Sequence, residues 1–279
     1  MNSNNIKRKP EAWLKSLDMY PKRKMLIVEG IEDKLFIEYL SGTYNEYVII
    51  LDVNSINITE KVKNGNKGRL LHIAEVAKNQ PNRFKVFIDK DYSSFENQSF
   101  NKNVITTDFR DIEAYLYEID FLDKFLKIGI KTDKICANKL LDNIKMLRYF
   151  GFVRITSIVN GLNLSINKTN EKLSKYINLK GDLSFDILED KYIKSLIQNS
   201  NNIIDYDELS RLLKKSIQQF SDKHFKEIVQ GKDAIAFIKH LVSKLKFKKD
   251  NIENVFWMSF EKDRVKNYKN LSEVVDYIK

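Results

Sequence analysis

Short apolar runs alternate with amphipathic segments in the first part of the chain. The runs have the length and the β-branched content of buried strands, and most of them end at a glycine or a polar residue. The predicted strands cover residues 24–29, 47–51, 84–88 and 104–105. Apolar residues at helical spacing predict helices at residues 32–41, 69–79 and 111–128. This alternation is typical of a parallel sheet with crossover helices, so we predict an α/β fold.

Two of these helices carry an apolar stripe that we expect to be buried. In the helix at 32–41 the stripe consists of Leu35, Phe36, Tyr39 and Leu40. In the helix at 111–128 it consists of Ile112, Tyr115, Leu116, Ile119, Leu122 and Leu126. A glycine-rich loop at 64–68 is expected to precede the helix at 69–79.

The pattern changes after about residue 130, where amphipathic spacing without strand-like runs predominates. It predicts helices at residues 133–150, 187–199, 206–220 and 232–247. Residues 151–166 fit neither pattern clearly, and we interpret them as a segment that holds a turn or a pair of strands. The prediction is therefore a domain at 1–125 with a parallel sheet and flanking helices, followed by a mostly helical region at 126–279.

The net charge of +10 is unevenly placed. Residues 1–125 contain equal numbers of basic and acidic side chains, so the whole positive excess lies after residue 125. A basic region of this kind is suited to binding a polyanion such as nucleic acid. A lysine-rich proteome would produce the same excess without a function.

Several classes of protein are disfavoured by composition. A single cysteine, Cys136, excludes an internal disulfide and a multi-cysteine zinc site, and three scattered histidines are too few for a histidine-rich metal cluster. No run of about 18 apolar residues exists, so we expect no membrane span. The first residues lack the apolar core of a signal peptide, and we expect a cytoplasmic protein.

Acidic residues follow two of the predicted strands. Glu29 ends the first strand, and Asp89 and Asp91 follow the strand at 84–88. Carboxyl ends of neighbouring parallel strands meet at one edge of a sheet, so these three carboxylates are expected to converge there. Clustered carboxylates repel each other unless a cation neutralises them, and hard oxygen ligands suit Mg²⁺ or Mn²⁺. We therefore predict a metal site for phosphodiester cleavage. Taken separately, each motif is also typical of an ordinary turn.

Two segments resemble the Toprim family. Residues 27–36, which contain Val28-Glu29-Gly30, are similar to the first Toprim motif, and Asp89-Lys90-Asp91 is similar to its Asp-x-Asp motif. The resemblance implies a compact parallel sheet and a Mg²⁺ site. It also implies catalytic roles for Glu29, Asp89 and Asp91, which would bind the metal.

A narrower resemblance covers more of the chain. Residues 64–68 and 107–115, together with Gly231-Lys232-Asp233, are similar to a bacterial Toprim family that includes the effector of the PARIS anti-phage system. The chain departs from that family at Ala114 and Asn64, where asparagine and glycine are usual. The resemblance implies a Mg²⁺-dependent endoribonuclease, acting on RNA such as tRNA. It further implies an ABC-type ATPase as partner and a homodimer as the active form.

Two other functions remain open at this stage. The same metal site would serve a nuclease that cuts or nicks DNA, as the OLD-type Toprim nucleases do. A binding module with the Toprim fold and without catalysis is the other alternative. Intact Glu29, Asp89 and Asp91 argue against that module.

Four further residues are candidates to support the site. Glu113 is a possible fourth catalytic carboxylate, or an acid favoured by a helix N-terminus. Asp33 is expected to cap a helix or to stand behind the metal ligands, and Asp52 either adds to the cluster or is an ordinary turn acid. Lys90 would touch a substrate phosphate or balance the acidic charge.

Basic residues in three places are candidates for nucleic-acid binding. Lys67 and Arg69 flank the glycine-rich turn, where backbone amides can hold phosphate. Lys232 opens a predicted helix. The third place is a basic run with an interleaved aromatic residue, formed by Lys246, Lys248 and Lys249. An exposed basic loop and a solvated helix end are the ordinary readings of the first and third places.

Overall fold

The computed structural model describes residues 7–42, 45–58, 65–93, 95, 98–166, 185–200, 204–244 and 252–279. The basic run of Lys246, Lys248 and Lys249 lies outside the described residues, as do Asn64 and the end of the predicted helix at 232–247. No helix in the described part of the chain is long and apolar enough to cross a membrane.

Four parallel strands form a single sheet, which confirms the predicted α/β architecture. They are β1 (Lys24–Val28), β2 (Val48–Asp52), β3 (Phe84–Ile88) and β4 (Val104–Thr106), in the spatial order β2-β1-β3-β4. The observed bounds differ from the predicted ones by no more than a residue at either end.

Helices make up most of the rest of the described chain. In chain order they are α1 (Pro10–Met19), α2 (Ile31–Ser41), α3 (Gly65–Val76), α4 (Ile119–Lys124), α5 (Ala137–Met146), α6 (Arg148–Val159), α7 (Phe185–Asn199), α8 (Tyr206–Phe220), α9 (Phe225–Ile228), α10 (Gly231–Lys244), α11 (Ile252–Trp257) and α12 (Lys269–Ile278).

The chain divides into two compact units. The sheet unit comprises residues 1–90, 98–108 and 262–279, and the helical unit comprises residues 91–97 and 109–261. This division departs from the predicted boundary at residue 125, because the last helix belongs to the sheet unit and residues 109–125 belong to the helical one.

Hydrogen bonds explain why the C-terminal helix belongs to the sheet unit. The Tyr277 hydroxyl donates to the Met25 carbonyl oxygen over 3.1 Å, and Lys24 Nζ donates to the Tyr277 carbonyl oxygen over 3.0 Å. The Asp108 carboxylate accepts from the backbone N–H groups of Asn270 and Leu271 at the start of α12. These contacts join residues more than 160 positions apart, so no local pattern could reveal them.

The core of the sheet unit lies on β1 and β3. Met25, Leu26, Ile27 and Val28 are all fully buried, as expected for a central parallel strand that is covered on both faces. Helix α2 buries Phe36, Ile37 and Leu40. The predicted stripe is therefore wrong in part.

Leu35 and Tyr39, which were expected to be buried, are 56% and 37% exposed. Apolar residues lie on more than one side of α2, so its sequence is compatible with burial of either of two neighbouring faces. The face that is buried is the one that contains Phe36, Ile37 and Leu40.

The interpretation of residues 151–166 as a turn or strand pair is wrong. Most of this segment is helix α6, in which residues 149–157 are all buried. A helix that is enclosed on every side needs no polar face and shows no 3.6-residue period. Gly151 permits a close approach, since a Cβ there would overlap the Ile228 backbone.

The predicted helix at 111–128 is also wrong as a continuous element. A 3₁₀ turn covers Ile112–Leu116, α4 begins at Ile119, and a π-helical turn covers Phe125–Ile130. The chain leaves helical geometry at Tyr117 and Glu118, and Ile119 is 47% exposed although it was expected in the buried stripe.

Candidate functional site

The sheet brings two of the predicted acids together. β1 and β3 are adjacent in the sheet. The chain continues from β1 to β2 at one edge of the sheet, and from β3 to β4 at the other edge. Such a point, where the strand order reverses, is where open parallel sheets bind ligands. Glu29 and Asp89 follow these two strands, and Glu29 Oε1 accepts a hydrogen bond from the Asp89 backbone N–H over 3.0 Å. Both residues are half-buried.

The first turn of α3 holds the main chain of both acidic segments. Lys67 Nζ donates to the carbonyl oxygens of Asp89 and Lys90 over 2.8 and 3.3 Å. Asn66 Nδ2 donates to the Glu29 carbonyl oxygen over 3.0 Å. The expected loop at 64–68 is therefore wrong from Gly65 onwards, because α3 begins at Gly65. Lys67 lies on this helix and supports the acidic edge instead of flanking an open loop.

Three other candidates in the sheet unit have local structural contacts. Asp33 Oδ2 accepts from the Gly30 backbone N–H over 2.9 Å, which is the capping geometry weighed above. The Asp52 carboxylate accepts from Asn54 N and Ser55 Oγ and so caps a short 3₁₀ turn.

Arg69 holds that same turn, at residues 53–56. Its guanidinium donates to Asn54 Oδ1 and to the carbonyl oxygens of Val53 and Ile56. These contacts direct the Arg69 donors to the Asn54 side chain and to the main chain of the turn. Lys90 is half-buried, and its backbone N–H donates to Thr107 Oγ1 over 2.9 Å.

Asp91 belongs to the helical unit and has an unusual backbone. Its φ of 48° is left-handed, a conformation that costs a non-glycine residue about 1–2 kcal/mol. The Asp91 backbone N–H donates to the Arg110 carbonyl oxygen over 2.7 Å. Its carboxylate lies 3.7 Å from the Arg110 guanidinium and remains 42% exposed. Strained residues are frequent at functional sites.

A buried ion pair stands beside Asp91 in the helical unit. Arg110 Nη1 donates to Asp111 Oδ2 over 2.8 Å, and the Arg110 guanidinium also covers the Tyr92 ring at 4.3 Å. Asp111 Oδ2 accepts from the Gly231 backbone N–H over 2.6 Å. Burial raises the pKa of the Asp111 carboxyl, while the Arg110 charge and the Gly231 hydrogen bond lower it.

Glu113 lies against the start of α10. It is half-buried in the 3₁₀ turn, and a Cβ placed on Gly231 would overlap its carboxylate and approach Glu113 Cβ to 2.8 Å. Only glycine therefore fits at residue 231 while Glu113 keeps this position. Lys232, the next residue, is exposed at the N-terminus of α10.

Sequence reasoning assigned no role to Asn66, Arg110 or Asp111. The signal for the last two was an adjacent pair of opposite charges between two apolar residues, Phe109 and Ile112. A signal for Asn66 was absent, because its partner Glu29 lies 37 residues away.

The donor chemistry at the β1–β3 edge fits a hard divalent cation. Among the described residues, no group of three or more His, Cys, Asp or Glu side chains is arranged as a complete metal-binding set. Mg²⁺ does not require such a set, since it is usually bound through one or two carboxylates and keeps water or substrate oxygens as its other ligands. Glu29 and Asp89 are the two carboxylate residues that meet at this edge, where the Glu29 carboxylate contacts the Asp89 main chain.

No model of a known protein family matches the chain, and no curated protein is significantly similar to it.

Proposed function

We propose that this protein is a metal-dependent endonuclease of the Toprim class. The observation that carries the proposal is the approach of Glu29 and Asp89 at the point where the strand order of the sheet reverses. The order of the motifs supports it, since a Glu-Gly and an Asp-x-Asp follow two adjacent parallel strands.

In this proposal Glu29 and Asp89 hold Mg²⁺ or Mn²⁺. When bound, the ion supplies Lewis-acid stabilisation of a phosphodiester and activation of water. The chain's own residues prepare the edge for it. The Lys67 ammonium fixes the carbonyl groups of Asp89 and Lys90, which limits the conformations open to the Asp-x-Asp segment.

The more particular proposal is an anti-phage effector that cleaves RNA such as tRNA. It rests on the resemblance of residues 64–68 and 107–115, together with Gly231-Lys232-Asp233, to the bacterial Toprim family described above. In that proposal an ABC-type ATPase holds the subunit inactive, and the released subunit acts as a homodimer. The positive excess after residue 125 supports a polyanionic substrate.

A nuclease assay with a matched control tests this function. Purified wild type, Glu29→Gln and Glu32→Gln are each incubated with total tRNA and with supercoiled plasmid, with and without Mg²⁺. Glu32 is exposed in the first turn of α2 and provides the control. We expect Mg²⁺-dependent cleavage of RNA by the wild type and by Glu32→Gln, and loss of cleavage in Glu29→Gln.

The other outcomes separate the alternatives. Cleavage of the plasmid alone would favour a DNA nuclease of the OLD type. Cleavage of neither substrate, by protein that is folded and loaded with metal, would favour a binding module without catalysis. Equal activity of the wild type and Glu29→Gln would refute the proposed site.

A further inference from the structure

Strand β2 forms one side of the four-stranded sheet, and among the described residues no strand pairs with its outer side. Its sequence, Val48–Asp52, contains neither a proline nor a lysine, which are residues that natural proteins place on an exposed strand to prevent pairing. Shortness is another such protection, and it applies to β4 at the opposite side of the sheet, which has only three residues. β2 is therefore an unprotected strand of the kind that pairs with a further strand.

The register of the sheet shows which main-chain groups of β2 face its open side. The Lys24 N–H donates to the Tyr47 carbonyl oxygen over 2.7 Å, so residues 47, 49 and 51 bond to β1. Residues 48, 50 and 52 therefore direct their N–H and C=O groups outwards. The Val48 N–H already donates to the Asn45 carbonyl oxygen over 3.0 Å. The N–H and C=O groups of Ile50 have no hydrogen-bond partner in the part of the chain that the structure describes.

The outward groups are arranged symmetrically about Ile50. In an antiparallel pair of strands, two directly opposed residues exchange both of their main-chain hydrogen bonds. If Ile50 opposes Ile50 of a second copy, the two residues satisfy each other. The Val48 C=O group then meets the Asp52 N–H group of the other copy. Such an arrangement, in which one surface is its own partner, is that of a two-fold dimer.

An apolar stripe on α2 adjoins the open side of β2. Its three side chains recur every four residues and are 55%, 56% and 37% exposed, in the order Ile31, Leu35 and Tyr39. Tyr39 and Ile50 line the same cavity, of about 610 Å³, so one end of the stripe lies beside the open strand. An exposed apolar patch of this kind is typical of a protein interface.

The charges next to the stripe are compatible with a second copy of the same chain. Lys34 and Glu38, on the same helix, form an ion pair at 3.7 Å. The surface of α2 therefore carries one charge of each sign here, and two copies can meet without repulsion between like charges.

We infer that the open side of β2 and the stripe of Ile31, Leu35 and Tyr39 form the interface of a two-fold dimer. Two β2 strands pair antiparallel about Ile50 and join two four-stranded sheets into one sheet of eight strands. This inference rests on the proposed function, because it names the surface through which the proposed homodimer forms.

Light scattering of the full-length protein over a range of concentrations tests the interface without any need for cleavage. The variants are Leu35→Lys, which places a charge in the stripe, and Ile50→Pro, which removes the outward N–H. Proline is tolerated on an outer strand at a position whose N–H faces away from the sheet. The matched control is Ile128→Lys, because Ile128 is an apolar residue of the helical unit that is 67% exposed. Circular dichroism and urea unfolding are recorded for each variant.

We expect the wild type and Ile128→Lys to have twice the mass of one chain. Leu35→Lys should raise the dissociation constant of the dimer by about 10-fold or more, the usual effect of losing an apolar anchor in an interface. Ile50→Pro should be folded and monomeric.

A disulfide measures the register and keeps the inference testable if Ile50→Pro does not fold. Cysteines are introduced singly at residue 50 or 51, after Cys136, which is exposed, has been replaced by serine. Opposed residues of this type have Cα atoms about 5.5 Å apart, within the range of a disulfide. Ile50→Cys should therefore form a covalent dimer on mild oxidation. Leu51→Cys should not, because residue 51 opposes residue 49 of the other copy.

Three results would overturn the inference. A wild type that stays monomeric at about 100 μM would show that this surface does not join two copies, and would leave it to a strand of another protein. A dimer that Leu35→Lys leaves intact, without a disulfide in Ile50→Cys, would place the interface elsewhere. Equal weakening by Leu35→Lys and Ile128→Lys would show a general effect of charge. If the dimer forms as expected but no nucleic acid is cleaved, the proposed nuclease function fails and the interface stands.

Discussion

The left-handed backbone at Asp91 predicts that a glycine variant is more stable than an alanine variant, although both are expected to lose the proposed activity. Asp91→Gly and Asp91→Ala remove the same carboxylate, so both lose the partly exposed contact with Arg110. Only alanine keeps a Cβ, which costs about 1–2 kcal/mol at φ of 48°. Glycine in turn loses about 0.4–1 kcal/mol through the greater entropy of the unfolded chain. The glycine variant should therefore be more stable than the alanine variant by about 1 kcal/mol.

Urea unfolding measures this difference, and two other positions calibrate it. Lys131, with φ of 57°, is an exposed left-handed residue to which we assign no functional role, and its glycine variant should also be more stable than its alanine variant. At Lys214, exposed in the middle of α8, the order should be reversed by about 0.5–1 kcal/mol. Both Asp91 variants should fail to cleave nucleic acid, whereas both Lys131 variants should remain active.

The reasoning is refuted if Asp91→Ala is as stable as Asp91→Gly while the calibrating positions behave as expected. That result would mean that residue 91 does not have a left-handed backbone in solution. Activity retained in Asp91→Gly would instead contradict the catalytic role that the Asp-x-Asp resemblance implies for Asp91.

Three more changes have definite expected results. Gly231→Ala should lower the free energy of unfolding by about 1–3 kcal/mol, measured in urea, because its Cβ would overlap the Glu113 carboxylate. Lys67→Met should raise the Mg²⁺ concentration for half-maximal cleavage about 10-fold or more, because the Asp89 carbonyl loses its 2.8 Å donor. Burial raises the pKa of Tyr277 above its ordinary value of 10.0, so the folded state keeps this proton more tightly than the unfolded state. Stability should be unaffected by Tyr277 below about pH 10 and should fall above it, as urea unfolding at alkaline pH will show.

Each of these predictions has a control. Gly30→Ala should be tolerated better than the change at residue 231, since its Cβ would be 3.7 Å from the nearest side-chain atom. Lys78 is exposed in the segment that follows α3, and Lys78→Met should leave the Mg²⁺ dependence of cleavage unchanged. Tyr277→Phe should reduce the alkaline loss of stability. An identical pH dependence in that variant and in the wild type would contradict the role of Tyr277.

The strands could be predicted because each of them is a short run of apolar residues, which is visible in the local sequence. The bounds of β3 follow directly from the apolar run that ends before Asp89, since a strand with both faces covered needs no alternation. Helix α6 could not be predicted in this way, because a helix that is buried on every side has no polar face and so shows no helical period. Gly151 lies in this helix, where it allows close packing against Ile228.

The candidate site shows the same division between local and distant causes. Glu29 and Asp89 were found because each follows a strand, and the parallel order of those strands brings them together. The link between Asp111 and Gly231 joins residues 120 positions apart and depends on how the helical unit packs. No spacing in the sequence contains that information.

The central claim is that Glu29 and Asp89 bind a divalent cation at the edge shared by β1 and β3. Anomalous diffraction from crystals grown with Mn²⁺ tests it most directly. We expect an anomalous peak that is coordinated by a carboxylate oxygen from each of Glu29 and Asp89, at distances near the value of about 2.1 Å typical of Mg²⁺ sites. The peak should disappear in Glu29→Gln crystals. A well-ordered edge without a peak, or a peak that is bound elsewhere and unaffected by Glu29→Gln, would contradict the claim.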